Sequence, residues 1–359
     1  LHFNRPDLGY GIRRRMMDIC KKGRQTWQFV VPPLIIDQAA VGGKTEGEGP
    51  LKDSFDYIFE DLYAGQNSFE KAEQKMQQKA AELALDKAAL TPGQVDLLCA
   101  GDLLNQNMPS AFTARFLGVP YVGLFNACAT IGEALAIASL AVASGAAATA
   151  LALAGSHTCT AERQFRYPNE YGSQKPPSSQ YTACAAGAAV LGHQGGQGQD
   201  GVRVTGVTIG RVIDLQVCDP FNMGAAMAPA LADTLSAHFR EMERQASDYD
   251  LILSGDLGKV GRQIALDLLT LQGVENIESR FADCGRMLFG DGKRFFSGGS
   301  GCGCAAAVGL GYIYRLLAQG ELNRVLLCAT GALLSTCANQ QQESIPGICH
   351  GVVLERGSK

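Results

Sequence analysis

Apolar and polar positions along the chain fall into blocks of strand or helix length. Residues 68–90 carry Ala72, Met76, Ala80, Leu83 and Leu90 at near-helical spacing, which predicts one long amphipathic helix. Thr91-Pro92-Gly93-Gln94 follows as a capping box with proline in the first helical turn. Residues 96–100 form a short buried-strand run that ends in the polar turn 101–107. Residues 121–125 are β-prone and lead through a small-residue turn at Cys128 into an alanine-rich helical run, 129–143. The nearly apolar stretch 134–154 is long enough on paper to cross a bilayer, but Ser144-Gly145 breaks it. It is therefore expected to be a buried helix ending near residue 143 and a core strand over 149–154. A polar, aromatic segment (156–181), a strand (183–192) and a Gly/Gln linker (194–201) come next.

The later chain echoes the earlier chain. Residues 95–103 reappear in type as residues 249–257, and Asp96 and Asp250 are 154 positions apart. Residues 145–155 match 320–331, and Cys128-Ala129-Thr130 corresponds to Cys302-Gly303-Cys304. Two related strand-helix-strand halves predict an α/β fold with parallel sheets covered by helices. The continuous apolar runs are what strands buried on both faces require. The expected divisions are a basic tail (1–24), a first half (25–193), a linker (194–201) and a second half (202–359).

Composition narrows the reading. A chain of 359 residues has ample length for a large core. Its net charge of -4 gives no reason to expect nucleic acid. None of the 12 cysteines forms a C-x-x-C pair, which favours buried thiols in a reducing compartment over a disulfide scaffold or a zinc site. No signal-peptide pattern is evident. The tail carries seven basic residues against Asp7 and Asp18. Met16, Met17 and Ile19 leave two readings of it open, a short helix touching acidic lipid or a solvated arm.

Cys128 is the candidate nucleophile. A thiol beside a helix N-terminus meets free amides and the macrodipole, which favour the thiolate. The competing reading is a small buried thiol in a tight turn. Asp102 and Asp256 follow the two repeated strands and either touch a cation or cap a turn. His2, His193 and His238 fall in tail, linker and surface-helix contexts, leaving His157 and His350 as candidates.

One set of motifs goes further. Residues 100–107 (AGDLLNQN), Ser156-His157, 160–168 (TAERQFRYP), 210–215 (GRVIDL), 226–229 (AMAP), 343–346 (ESIP) and 350–353 (HGVV) carry a dense resemblance. From about Arg24 onward the chain resembles the stage V sporulation protein AD family, a sporulation branch of the thiolase and ketoacyl-synthase superfamily. That resemblance implies a thiolase-like fold, two duplicated β-α-β halves forming a layered αβαβα core, with Cys128 at the nucleophile position. Enzymes of the superfamily add His and His, or His and Asn, from second-half loops. Here residues 255–258 and 297–302 contain neither, so His350 is the one partner expected to reach Cys128.

The implied site is a degenerate one that binds without turnover. The implied ligand is dipicolinic acid or its calcium chelate, moved into the developing spore and released in germination. Cys128, Ser300 and His350 would form its pocket. Arg163, Arg166, Asn105, Asn107 and Gln174 would supply donors to a rigid dicarboxylate. Arg163 and Arg166 have a structural alternative, pairing with Glu162 or Glu170. No cofactor and no protein-bound metal are expected. The resemblance further implies integral membrane partners of one transport system, peripheral attachment at the inner forespore membrane, and a homodimer paired near residues 149–154. The alternatives are a Cys128-dependent acyltransferase acting on acyl thioesters and an adaptor with an empty pocket.

Overall fold

The computed structural model describes residues 19–166, 175–193, 201–290 and 292–357. The first half runs β1 (Ile19–Lys22), β2 (Thr26–Phe29), β3 (Leu34–Gly42), α1 (Lys44–Gly47), β4 (Tyr57–Ile58) and α2 (Phe69–Lys87). It continues with β5 (Leu97–Gly101), α3 (Met108–Leu117), β6 (Tyr121–Gly123), α4 (Thr130–Ser144), β7 (Thr149–Ser156), α5 (Thr158–Arg166), β8 (Tyr181–Thr182) and β9 (Ala185–Gly192). The second half comprises β10 (Val202–Thr208), α6 (Met223–Met242), β11 (Leu251–Ser254), α7 (Gly258–Leu271), β12 (Phe281–Asp283), α8 (Cys284–Phe289) and β13 (Gly299–Ser300). Then come α9 (Cys302–Ala307), a wider π turn (Val308–Ile313), α10 (Tyr314–Gln319), β14 (Arg324–Ala332), α11 (Thr336–Gln340) and β15 (Gly347–Arg356).

The duplication seen in the sequence is the architecture. The first half orders its strands β3-β9-β7-β5-β6 and the second β10-β15-β14-β11-β12. In each, three strands are parallel and the next is antiparallel: β7-β5-β6 with β9, and β14-β11-β12 with β15. A pairing at Arg203 and Leu34 connects the two sheets, and the flanking strand β2 pairs with β10 of the second. Helix α4 packs on β7 of one sheet and on β14 and β15 of the other, while α9 packs on β7 and β9. Helix α2 covers the outer face of the first sheet and α6 that of the second. This is the five-layer αβαβα arrangement.

Small residues make the central layer possible. A Cβ on Gly132 of α4 would lie 2.9 Å from the Ala329 Cβ and 3.2 Å from the His350 Cβ. A Cβ on Gly303 would sit 2.1 Å from the Ala185 carbonyl oxygen. Two sheets and the helices between them approach this closely only where side chains are nearly absent. Ile131, Leu135, Ala138 and Val142 of α4 are completely buried. The apolar window Ala127–Ser144 is thus a core helix, 72% buried, as its glycine stop predicts.

Local signals act as read. Ser68 caps α2 by accepting from the Lys71 amide, and the Gln94 side chain accepts from the Thr91 amide at 2.9 Å. Three expectations change. Ile19–Lys22, at the end of the basic tail, forms a hairpin with Thr26–Phe29. The Gly23 turn is held because Glu241 accepts from the Arg24 and Gln25 amides at 3.0 and 2.9 Å. Met16, Met17 and residues 194–200 of the linker lie outside the described residues. His238 is not on a surface: it is fully buried, with Nδ1 2.7 Å from the Thr208 hydroxyl and Nε2 2.5 Å from the Tyr249 hydroxyl. Burial, aided by Arg244, pushes its pKa down to about 3.

The third change concerns residues 149–154. They lie in β7, which is paired on both sides, by β5 and by β9. A strand without a free edge cannot pair across a dimer, so this expectation is corrected. Among the described residues the free edge of the first sheet is β6.

Candidate functional site

The site forms where the two halves present equivalent loop ends to one another. After β6 the chain makes a strained turn in which Ala127 takes φ +49°. The Thr130 hydroxyl donates to the Ala127 carbonyl at 2.7 Å and accepts from the Asn126 amide at 3.2 Å, pinning that turn. Cys128 follows, one residue before the N-cap of α4 and 6% exposed. From the second half, Gly299–Ser300 pairs in parallel with Tyr181–Thr182, and Gly301 takes φ +100° to start α9. This brings the Ser300 hydroxyl to 3.7 Å from the Cys128 sulfur.

Behind the pair sits Asp256, fully buried. Its Oδ2 accepts from the Ser300 hydroxyl at 2.9 Å and the Gly301 amide at 3.1 Å. Its Oδ1 accepts from the Thr330 hydroxyl at 2.8 Å. The Gln180 side-chain amide donates to the Asp256 carbonyl and, at 3.1 Å, to that of Gly299, locking the loop. Burial raises the Asp256 pKa to about 6 against the opposing pull of these hydrogen bonds, with nearby Asp283 adding to the rise. Cys128 is pushed well above the ordinary thiol value, first by burial and next by the Asp256 charge. Burial and the neighbouring carboxylate both oppose the thiolate that a helix start favours.

Cys128 and Ser300 open onto a largely apolar cleft with about 430 Å³ of free space including its mouth. Leu103, Phe165, Thr182, Met223 and Leu334 wall it.

The other expected site residues are placed as follows. His350 makes no hydrogen bond to Cys128 and is not among the cleft walls. It lies opposite Ala329 in the β14–β15 ladder, packed against Gly132, and its Nδ1 accepts from the Gly210 amide at 3.2 Å. That bond leaves the proton on Nε2, which is buried without a partner, and burial lowers the pKa to about 4. Arg163 pairs with Glu70 of α2 and is not among the cleft walls. Asn105 is bound to Gln164 through its amide at 3.0 Å and its side-chain oxygen at 3.2 Å. Asn107 donates to the Leu124 carbonyl at 2.8 Å, bracing the strand that leads to Cys128. Neither asparagine is among the cleft walls. The Arg166 side chain and Gln174 lie outside the described residues. Lys175 is paired with Glu162 at 2.6 Å.

His157 is structural. Its Nε2 donates to the Leu62 carbonyl at 2.9 Å, its Nδ1 accepts from the Cys159 amide at 3.2 Å, and burial lowers its pKa. Asp102 caps its turn as expected, accepting from the Leu104 and Ser110 amides, each at 2.9 Å. Asp256, its counterpart in the repeat, faces the site instead. The repeat located that loop in the sequence but did not distinguish the two aspartates. Thr330 carried no sequence signal. No group of three His, Cys, Asp or Glu side chains is arranged to hold a metal among the described residues.

Comparison with known proteins then places the chain. Solved structures that share the fold include the tetronic acid condensing enzyme AbyA1, at a TM-score of 0.56 and 18% identity, covering 90% of this chain and 99% of that one. The 3-oxoacyl-[acyl-carrier-protein] synthase III of Aquifex aeolicus VF5 aligns at a TM-score of 0.56 and 14% identity, again over 90% and 99%. Xanthomonas campestris OleA with bound lauric acid and lauroyl-CoA does so at 0.56 and 13% over the same shares. These likenesses establish a thiolase-like condensing-enzyme fold. The Stage V sporulation protein AD of Bacillus subtilis (strain 168) is 45% identical over 334 residues, 93% of this chain and 97% of that protein. The profile of the family described as Stage V sporulation protein AD matches residues 23–355, and the chain belongs to that family.

Proposed function

We propose that this chain is a non-catalytic binding protein for dipicolinic acid or its calcium chelate, serving its uptake into the developing spore and its release in germination. One observation carries the reading. Cys128 and Ser300 meet at a small apolar cleft, 3.7 Å apart, with a buried acid behind them where an acyl-transfer site needs a base. Thiolate formation requires nearby positive charge or a proton acceptor that stabilises it. The negative charge of Asp256 disfavours the thiolate, and His350, whose Nδ1 is taken by the Gly210 amide, makes no hydrogen bond to Cys128. The Phe165 ring and the aliphatic walls suit a flat aromatic ligand, and the polar pair at the inner end suits its carboxyl group.

Further parts of the reading follow. Integral membrane proteins of the same transport system would hold the protein peripherally at the inner forespore membrane. A second copy of the chain is the partner assigned to the free edge of β6, beside which Val122 and Phe125 are 39% and 46% exposed. An antiparallel pairing there would satisfy the open edge and cover these side chains.

Isothermal titration with dipicolinate, with and without calcium, tests the central claim. Saturable one-site binding, weakened in Cys128→Ala or Ser300→Ala and unchanged in Arg163→Ala, supports it. No heat with folded protein in either form rejects it. The alternative, a cysteine-dependent acyltransferase, is favoured by the placement of Cys128 ahead of α4. Transfer of an acyl group from an acyl thioester to Cys128, read by intact mass, would establish that activity.

A further inference from the structure

We propose that Asp256 is a positioning residue that makes ligand binding proton-coupled: a carboxylate docks against Ser300 and Cys128 with Asp256 protonated, and each ligand bound takes up one proton. This rests on the reading of the cleft as a carboxylate site. The supply of hydrogens at the inner end of the cleft sets the constraint. Ser300 has one hydroxyl hydrogen, and it is donated to Asp256 Oδ2 at 2.9 Å. The Thr330 hydroxyl hydrogen goes to Oδ1 at 2.8 Å, and the Cys128 sulfur lies 3.7 Å from the Ser300 oxygen. With Asp256 ionised, Ser300 therefore offers the cleft lone pairs, and a buried negative charge stands behind them. An incoming carboxylate meets like charge at the inner end and no donor from Ser300.

Among the described residues no basic side chain walls the cleft: its walls are apolar or neutral, Arg163 is held by Glu70, and Lys175 by Glu162. Titratable groups that act on Asp256 from the elements around it include Asp283 of β12 and the thiols of Cys128, Cys284, Cys302, Cys304 and Cys349. Asp283 itself accepts from the Leu257 and Gly258 amides and the Ser254 hydroxyl, so it has no proton to give while ionised. Every one of these groups is acidic or neutral.

One proton reverses the arrangement. On Asp256 Oδ2 it donates to the Ser300 oxygen, while a lone pair of Oδ2 still accepts from the Gly301 amide at 3.1 Å. The Ser300 hydrogen is then free to swing into the cleft and donate to the ligand. The Asp256 carboxyl, lifted by burial to about 6, needs little further shift to hold that proton near neutral pH.

The test is titration calorimetry with dipicolinate from about pH 6 to 8.5, above the carboxyl range of the ligand itself, in two buffers of different ionisation enthalpy. Expected for the wild type are an uptake of one proton and an affinity that falls about tenfold per pH unit above the Asp256 transition. Asp256→Asn should bind with no proton uptake and a flat pH profile. Thr330→Val removes one stabilising donor from the carboxylate and should carry tight binding to higher pH. This second variant serves if the asparagine protein does not fold. Wild-type binding of constant affinity without proton uptake overturns the proposal and leaves the binding reading standing. No binding by folded wild-type protein at any pH overturns both.

Discussion

At the scale of single residues, environment decides what the sequence leaves open. Cysteine beside a helix start is legible at position 128, but the charge behind it is not, because Asp256 arrives from 128 residues further along the chain. The consequence is measurable. Native protein treated briefly with iodoacetamide at neutral pH should label the exposed Cys20, Cys218 and Cys337 first, with Cys128 at least about tenfold slower. Peptide mass spectrometry reads the order, and preferential labelling of Cys128 would point to acyl-transfer chemistry. Glu46 supplies a second test. Buried with only its Oε1 bonded, to the Cys184 amide at 3.0 Å, it has its pKa raised from 4.5 to about 7 by burial. The unfolded chain gives up this proton near pH 4.5 while the folded chain holds it to about 7, so stability falls as pH rises through that interval. The loss is about 3 kcal/mol at most above pH 7. Glu46→Gln keeps the acceptor and cannot ionise. Its melting temperature should exceed that of the wild type at pH 8 and match it at pH 5.

At the scale of elements, strong periodicity and continuous apolar runs were legible, and short or polar elements were not. The 68–90 pattern became Phe69–Lys87, with its cap at Ser68, because one face of that helix meets the first sheet. Ile19–Lys22 showed no such pattern, since its lysines are solvated and its place depends on pairing with Thr26–Phe29. His238 was misplaced for a related reason: α6 is buried almost all round, and its polar position is satisfied by Thr208 and Tyr249 rather than water. Helix α4 gives the sharpest prediction at this scale. Gly132→Val would force side-chain atoms against Ala329 and His350, where even a single Cβ stands at 2.9 and 3.2 Å. A loss of at least about 1–3 kcal/mol is expected in a denaturant melt. Ile131→Ala, at a fully buried position of the same helix, should cost about 2–5 kcal/mol through the cavity it leaves. A Gly132→Val protein as stable as wild type would mean that α4 and the second sheet are less closely packed than described.

At the scale of the molecule, the repeat carried most of the information. An aspartate after a buried strand, recurring as Asp102 and Asp256, marks the two places where a sheet ends at a loop facing the interior. The same duplication bears on assembly. The fully apolar run of β7 is what a strand flanked on both sides requires, whereas β6 alternates less strictly and exposes Val122. The sequence thus held the signal against pairing near residues 149–154, and the edge falls to Tyr121–Gly123. Phe112 and Phe116 of α3 are also exposed, at 37% and 53%. If two copies join β6 to β6, Val122 and Phe125 leave water in both. Val122→Asp with Phe125→Asp then places like charges across a closed edge and should convert the dimer to a monomer. Sedimentation equilibrium reads the mass directly. Because Phe125 is three residues from Cys128, the same double variant should weaken dipicolinate binding if the pairing helps to hold the turn at Ala127. Unchanged mass in the variant would remove β6 as the interface. Lost pairing with intact binding would show that each cleft is complete within one chain.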